Sequence, residues 1–305
     1  PQIDYWLAHA MELERPLLRG RLCINLYENL LDGNVHPEAF IDYLTEMIQE
    51  ETDPLLVGLY TRYLNTTCWH YLPDQIREQL SVSLTQMLWK RMTSESNNAT
   101  KKTLFRAWKS NVQSSEGLNQ LAAICTGQTI LEGVNISEQD KISLLCELAV
   151  KNYPQTDSLI IAISQSLKDT NKKQMLAFIT PALSNNAANR DEFFLSLAKL
   201  ENRKKEGWVG TALRQLHHPL RQGTSIQYLP KTLEMLEEIQ MTGDIFFPIN
   251  WLNSSFASYS SDEAYRVAER FMSERPDYPQ HLRLKILQNI DGIQRSAAVK
   301  KKYYQ

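Results

Sequence analysis

The feature that most narrows the fold is an unbroken succession of helix signals with almost no material for a sheet. Pro16, Pro37, Pro54 and Pro73 each precede a stretch of helical periodicity, and proline suits the first helical position because the N–H it lacks is not needed there. After Pro16, the residues Leu18, Leu22, Leu26 and Leu30 recur every fourth position and Gly33 follows as a stop, which predicts one amphipathic helix. Phe40, Ile41, Leu44, Met47 and Ile48 form the next apolar stripe, and Asp53 is placed to cap the helix that Pro54 opens. Further helices are predicted over 75–92, 101–112 and 117–125. Ser137 to Asp140 reads as a capping box, and Ser260 with Glu263 repeats the device. Pro181 should kink or end the helix in which it falls. The one strand-like run, Ile245 to Ile249, is interrupted by Pro248.

These signals predict an all-α chain. Their rhythm, helix pairs about 35 to 45 residues apart, is that of a HEAT/armadillo-like α-α superhelix of stacked antiparallel helix pairs. A single irregular helical bundle is the alternative. The connections 126–135 and 184–190 are the best candidates for hinges, but both have ordinary lengths, so residues 1–305 are expected to form one domain.

Composition excludes several classes of function. The chain has 33 basic and 35 acidic side chains, a net charge of −2, so it carries no field to hold a nucleic acid or an anionic bilayer along a face. The cysteines, Cys23, Cys68, Cys125 and Cys146, show no metal spacing and read as buried thiols. No apolar run is long enough to span a membrane. The chain opens at Pro1, without Met, which is the expectation for a piece of a longer polypeptide, and its compartment stays open.

Catalytic patterns are hard to find. A zinc peptidase helix needs H-E-x-x-H, two imidazoles one turn apart with a general base between them, and none of the six histidines begins that pattern. Nor is there a G-x-S-x-G elbow, a phosphate loop or a dinucleotide-binding loop. His217 and His218 are adjacent, so on a helix they diverge by about a hundred degrees. They read as residues offsetting a helix dipole before Pro219, not as ligands of one ion. Arg203-Lys204-Lys205 and Lys300-Lys301-Lys302 read as a solvated face and a frayed tail.

Packing explains residues 203–252 poorly. This stretch of fifty residues holds two Trp, two adjacent His, four Gly and six Arg or Lys. Trp208, Trp251 and the Phe246-Phe247 pair read equally as a recognition surface or as core. Gly207, Gly210, Gly223 and Gly243 mark helix ends and turns where backbone can approach another surface.

The residues Gly207-Trp208-Val209-Gly210, Leu216-His217-His218-Pro219-Leu220-Arg221, Leu236-Glu237-Glu238-Ile239-Gln240 and Thr242-Gly243-Asp244-Ile245-Phe246-Phe247-Pro248 resemble the C-terminal helical domain of zinc aminopeptidases of the aminopeptidase N family, bacterial members in particular. A looser likeness runs from Arg21 to Gly33 and through Phe40 to Leu44 and Glu50 to Pro54. The resemblance implies a bowl-shaped domain that closes over a zinc site, limits substrate length and contacts the distal part of a peptide. Its partners would be the catalytic domain of the same parent chain and the peptide substrate. The zinc and the catalytic residues, including the family's G-x-M-E-N, would belong to the parent upstream of Pro1, leaving this piece without a cofactor. Trp208, Arg214, Arg221, Asp244 and Trp251 are the residues suited to peptide or domain contact. The alternative from another class is a stand-alone α-solenoid that binds a protein partner with no enzyme attached.

Overall fold

The computed structural model describes residues 2–305, and among them there is no β-strand. The chain divides into two compact units, one running to Asn135 and taking in Arg295–Gln305, the other Ile136–Gln294. The division falls at the end of the 126–135 connection.

The first unit contains α1 (Gln2–His9), α2 (Pro16–Leu31), α3 (Pro37–Glu50), α4 (Pro54–Thr66), α5 (Asp74–Ser94), α6 (Asn98–Asn111) and α7 (Ser115–Thr126). Helix starts are set locally. Pro16, Pro37 and Pro54 open their helices, and the Asp53 carboxylate accepts from the Leu55 and Leu56 amides at 2.8 and 3.3 Å. Those amides have no intrahelical acceptor, so the cap supplies one. α3 packs on α4, α4 on α6 and α5 on α6. The interior is aromatic: Tyr27 stacks on Tyr63 at 3.9 Å, and Phe40, Tyr43 and Tyr60 are buried beside them. α4 runs on into a π-helical turn, Thr67–Tyr71, where the Arg77 guanidinium lies 4.5 Å from the centre of the Trp69 ring.

The second unit holds α8 (Glu138–Val150), α9 (Thr156–Ser166), α10 (Thr170–Leu183), α11 (Ala187–Ser196), α12 (Glu206–Leu216), α13 (Gln222–Ser225), α14 (Leu229–Glu234), α15 (Leu236–Thr242), α16 (Phe247–Phe256) and α17 (Asp262–Ser273). α18 (Gln280–Tyr304) supplies residues to both units. α8 packs on α9 and α10, α10 on α11 and α12, α12 on α16, and α14 on α17. Neighbouring helices thus bury their apolar faces against one another, the packing an all-α superhelical fold requires.

Several local expectations shift. The buried face of α2 carries Arg19, Gly20, Cys23, Leu26 and Leu30, so Leu18 turns outward and the stripe is rotated by one position at its start. The run 245–249 makes no strand, as the interruption by Pro248 leads one to expect: Pro248 lies in the first turn of α16, where its fixed φ favours the helix. The cap of α17 is Ser261, not Ser260, its Oγ accepting from the Ala264 amide at 3.3 Å. The tail does not fray. Within the first unit, Lys302 Nζ and Tyr303 Oη both donate to the Gly33 carbonyl, at 2.6 and 2.7 Å. Burial pushes the Lys300 ammonium down to about 8. The Ser137–Asp140 capping box is formed in full, and α10 ends two residues after Pro181.

Candidate interaction surface

In the second unit the stretch 203–252 forms the helices around α12 and α16. Gly210 sets their approach: a Cβ there would lie 3.2 Å from Ser254 Oγ and 3.5 Å from an Arg214 nitrogen, so a bare backbone lets the helices close. Arg214 stays at the surface and bridges them, donating to Ser254 Oγ at 3.2 Å and Thr211 Oγ1 at 3.1 Å. Trp208 is half-buried, 5.9 Å from Phe178 on α10, with the Lys205 ammonium 5.5 Å from its ring centre. Trp251 is wholly inside. Its indole N–H donates to the Thr232 carbonyl at 3.0 Å, which satisfies the one polar atom it buries.

Arg221 is also interior, and it meets main chain, with no glutamate among its hydrogen-bond partners. Its guanidinium donates to the carbonyls of Ala182, Leu183, Ala149, Gln215 and Ser184, at 2.7, 2.8, 3.3, 3.3 and 3.4 Å. These carbonyls belong to the last turns of α8, α10 and α12 and the residue just after α10. Helix ends leave carbonyls without intrahelical donors and carry partial negative charge, so one buried cation serves three termini. Burial and the nearby Arg190 bring its pKa down to about 10, still protonated at neutral pH.

The two histidines take other roles than offsetting a dipole. His217 is fully buried, Nδ1 bonded to Tyr259 Oη at 2.8 Å, and that hydroxyl is bonded to Ser225 Oγ at 2.8 Å. Burial holds the imidazole neutral, its pKa down to about 3, so the cation at the end of α12 is Arg221. His218 Nδ1 accepts from the Leu220 amide at 3.2 Å and caps the short turn that follows. Among the described residues no three His, Cys, Asp or Glu side chains come together to hold a metal ion.

What remains at the surface is the turn between α15 and α16. Asp244 is exposed, its carboxylate accepting from the Phe246 amide at 2.8 Å while its own amide donates to Glu206 Oε1 at 2.8 Å, so the turn is tied to the start of α12. That turn presents Met241, Ile245 and Phe246, which are 79%, 74% and 66% exposed, while Phe247 and Pro248 fold inward. Of the five residues singled out from sequence, then, Trp208, Arg214 and Asp244 reach the surface and Arg221 and Trp251 do not.

Sequence reasoning missed Arg19, Arg190 and Arg203, all buried. Arg203 donates to the Leu197 and Ala198 carbonyls at 2.5 and 3.0 Å and to Glu238 at 2.6 Å, so the supposed solvated run keeps only its two lysines outside. A signal for Arg19 existed, since it stands four residues before Cys23 on the buried stripe of α2. The four cysteines are buried free thiols. Burial pushes Cys23 and Cys68 up to about 12, away from the thiolate a nucleophile needs. No family model matches this chain, and no curated protein does.

Proposed function

We propose that this chain is the helical, non-catalytic part of a zinc aminopeptidase of the aminopeptidase N family, where it covers the active-site cavity and helps set which peptides enter. One observation supports this reading above the others. Of the two stretches in which the resemblance is closest, Gly207 to Arg221 and Thr242 to Trp251, the second holds Ile245 and Phe246 out in water on a turn tied by Asp244 and Glu206. Folding of this unit gains little from apolar side chains kept outside, whereas a contact with a catalytic domain or a peptide would bury them. In the parent enzyme, Phe246→Ser and Ile245→Ser should alter kcat/KM for an eight-residue peptide by roughly tenfold, or about 1.4 kcal/mol, and leave a leucine anilide within about twofold. The melting temperature should hold. Proportional loss on both substrates, or a parent chain without H-E-x-x-H, overturns the proposal. A helical scaffold with no enzyme attached would use the same turn, and the parent's upstream sequence separates the two.

A further inference from the structure

The first unit carries a second unpartnered surface, on the outer faces of α2 and α4. Gly20 lies against Leu56, where a Cβ would come within 2.9 Å, and Tyr27 stacks on Tyr63. Both pairs have the same offset in residue number, so the two helices run parallel, side by side. Between them lies an open groove of about 830 Å³.

The groove exists because each helix has two apolar stripes. α2 buries Cys23, Leu26 and Leu30 but sends Leu17, Arg21 and Ile24 to the groove, while α4 buries Val57, Tyr60 and Leu64 and sends out Leu55, Leu59 and Arg62. Leu17 and Leu55 are 75% and 84% exposed. At Gly58 no atom lies within 4 Å of where a Cβ would stand, so the missing side chain deepens the groove. Exposed apolar walls of this kind mark a binding surface more often than a random surface residue does.

Charge selects the occupant. Arg21 and Arg62 are exposed on the groove, and among the described residues no carboxylate pairs with either. The one carboxylate of the lining, Asp53, caps α4 through Oδ1, which leaves the groove with an excess of one positive charge. Two guanidiniums with no carboxylate bonded to them, beside an apolar floor, suit acidic groups carried among aliphatic side chains. The lining runs from Pro16 to Asn25 on α2, about 15 Å at 1.5 Å per residue, which is the length of two to three helical turns. An open groove leaves the far side of its occupant in water, as an amphipathic helix requires and a buried acyl chain does not.

We propose that the α2–α4 groove docks an acidic amphipathic helix of a partner polypeptide, its apolar side chains against Leu17, Ile24, Leu55 and Leu59 and its carboxylates on Arg21 and Arg62. The test is selection of a displayed library of random twelve-residue peptides on the 305-residue chain, followed by synthesis of the enriched peptides and titration by fluorescence anisotropy. Enriched peptides should share apolar residues three or four apart with Asp or Glu among them. Their affinity should fall roughly tenfold or more with Gly58→Phe, which fills the groove, and with Arg21→Glu/Arg62→Glu, and should weaken as salt rises. Helical circular dichroism and the melting temperature of both variants should match the parent chain; if Gly58→Phe does not fold, the charge reversal alone decides. An empty selection, enrichment without acidic residues, or binding that survives both substitutions overturns the proposal. So does sedimentation of the chain as a dimer that Gly58→Phe dissociates, or capture of phosphatidylcholine vesicles by the groove, since either would name a different occupant.

Discussion

At the scale of single residues, stability turns on buried polar atoms. Arg221→Ala would leave five carbonyls near three helix ends without their shared donor. An unsatisfied buried acceptor costs about 1–3 kcal/mol, and relaxation will recover part of the sum. A loss of about 3–4 kcal/mol is expected, read as a lower denaturant midpoint, with Arg221→Lys recovering only a part because an ammonium lacks the flat fork. His217 makes stability pH-dependent in a defined window. Its folded pKa is depressed to about 3, whereas the unfolded ring protonates near 6.5. The unfolded chain therefore binds the proton first as pH falls. This contribution is complete above about pH 6.5 and declines below it by up to about 1.4 kcal/mol per unit. Between about pH 7.5 and 5 the loss should be about 2 kcal/mol, and His217→Gln should flatten that limb of a melting-temperature profile. Glu51 acts lower. Burial works against its ionisation, but the Arg19 bond and the Asp53 amide hold its carboxyl below the usual range, so its contribution is lost only in stronger acid.

At the scale of elements, two devices recur. Arg19 in the first unit donates to the Leu13 and Glu14 carbonyls and to both oxygens of Glu51. Arg203 in the second has the same spacing: it donates to the Leu197 and Ala198 carbonyls six and five residues back and to one oxygen of Glu238, thirty-five residues onward. Each fastens the chain where it turns between helices. Glycines form the second device, and their contexts predict opposite outcomes. At Gly117 a Cβ would collide with Cγ2 of the buried, branched Val112, which cannot swing away. Overpacking of about 1–3 kcal/mol should outweigh the helix-propensity gain of about 1 kcal/mol, so Gly117→Ala should lower the melting temperature. At groove-facing Gly58 the same change meets no atom within 4 Å, so propensity alone acts and Gly58→Ala should raise it. Equal shifts of one sign in the two variants would contradict this account of the packing.

At the scale of the whole molecule, the chain keeps its reactive groups inside. All four thiols are buried, so a disulfide reagent should find none in the native state and four after unfolding in guanidinium. Rapid titration of any thiol before unfolding would show an opening that the packed helices do not provide. Far-ultraviolet circular dichroism should be that of a strongly helical chain, since the described residues contain no strand. Apolar side chains left outside are spread over the surface, Ile130, Ile161 and Leu195 among them, and the two proposed contacts use those at the α15–α16 turn and the α2–α4 groove.

The all-α class and most helix starts were legible in the sequence because they are short-range matters. A cap at Asp53 or Ser137, or a proline at the first helical position, acts through amides within three residues. The same reasoning placed Pro181 near a helix end and flagged the region 203–252. It also denied the run 245–249 to a sheet because of Pro248, and there the chain forms a turn and the start of α16, the turn held by Asp244 and Glu206 from outside the run. The candidate surface was only partly legible, since Asp244 and Phe246 lay in the flagged stretch while their exposure did not follow from it. Tertiary structure alone decided which of two apolar stripes on α2 is core and which wall of a groove, because periodicity is identical for both until a neighbour covers one. It also decided that Arg221 faces inward, since its acceptors include a carbonyl seventy-two residues earlier. Local sequence chooses helices through bonds that close within a turn, whereas the faces those helices hide are chosen by contacts that exist only once the chain has folded.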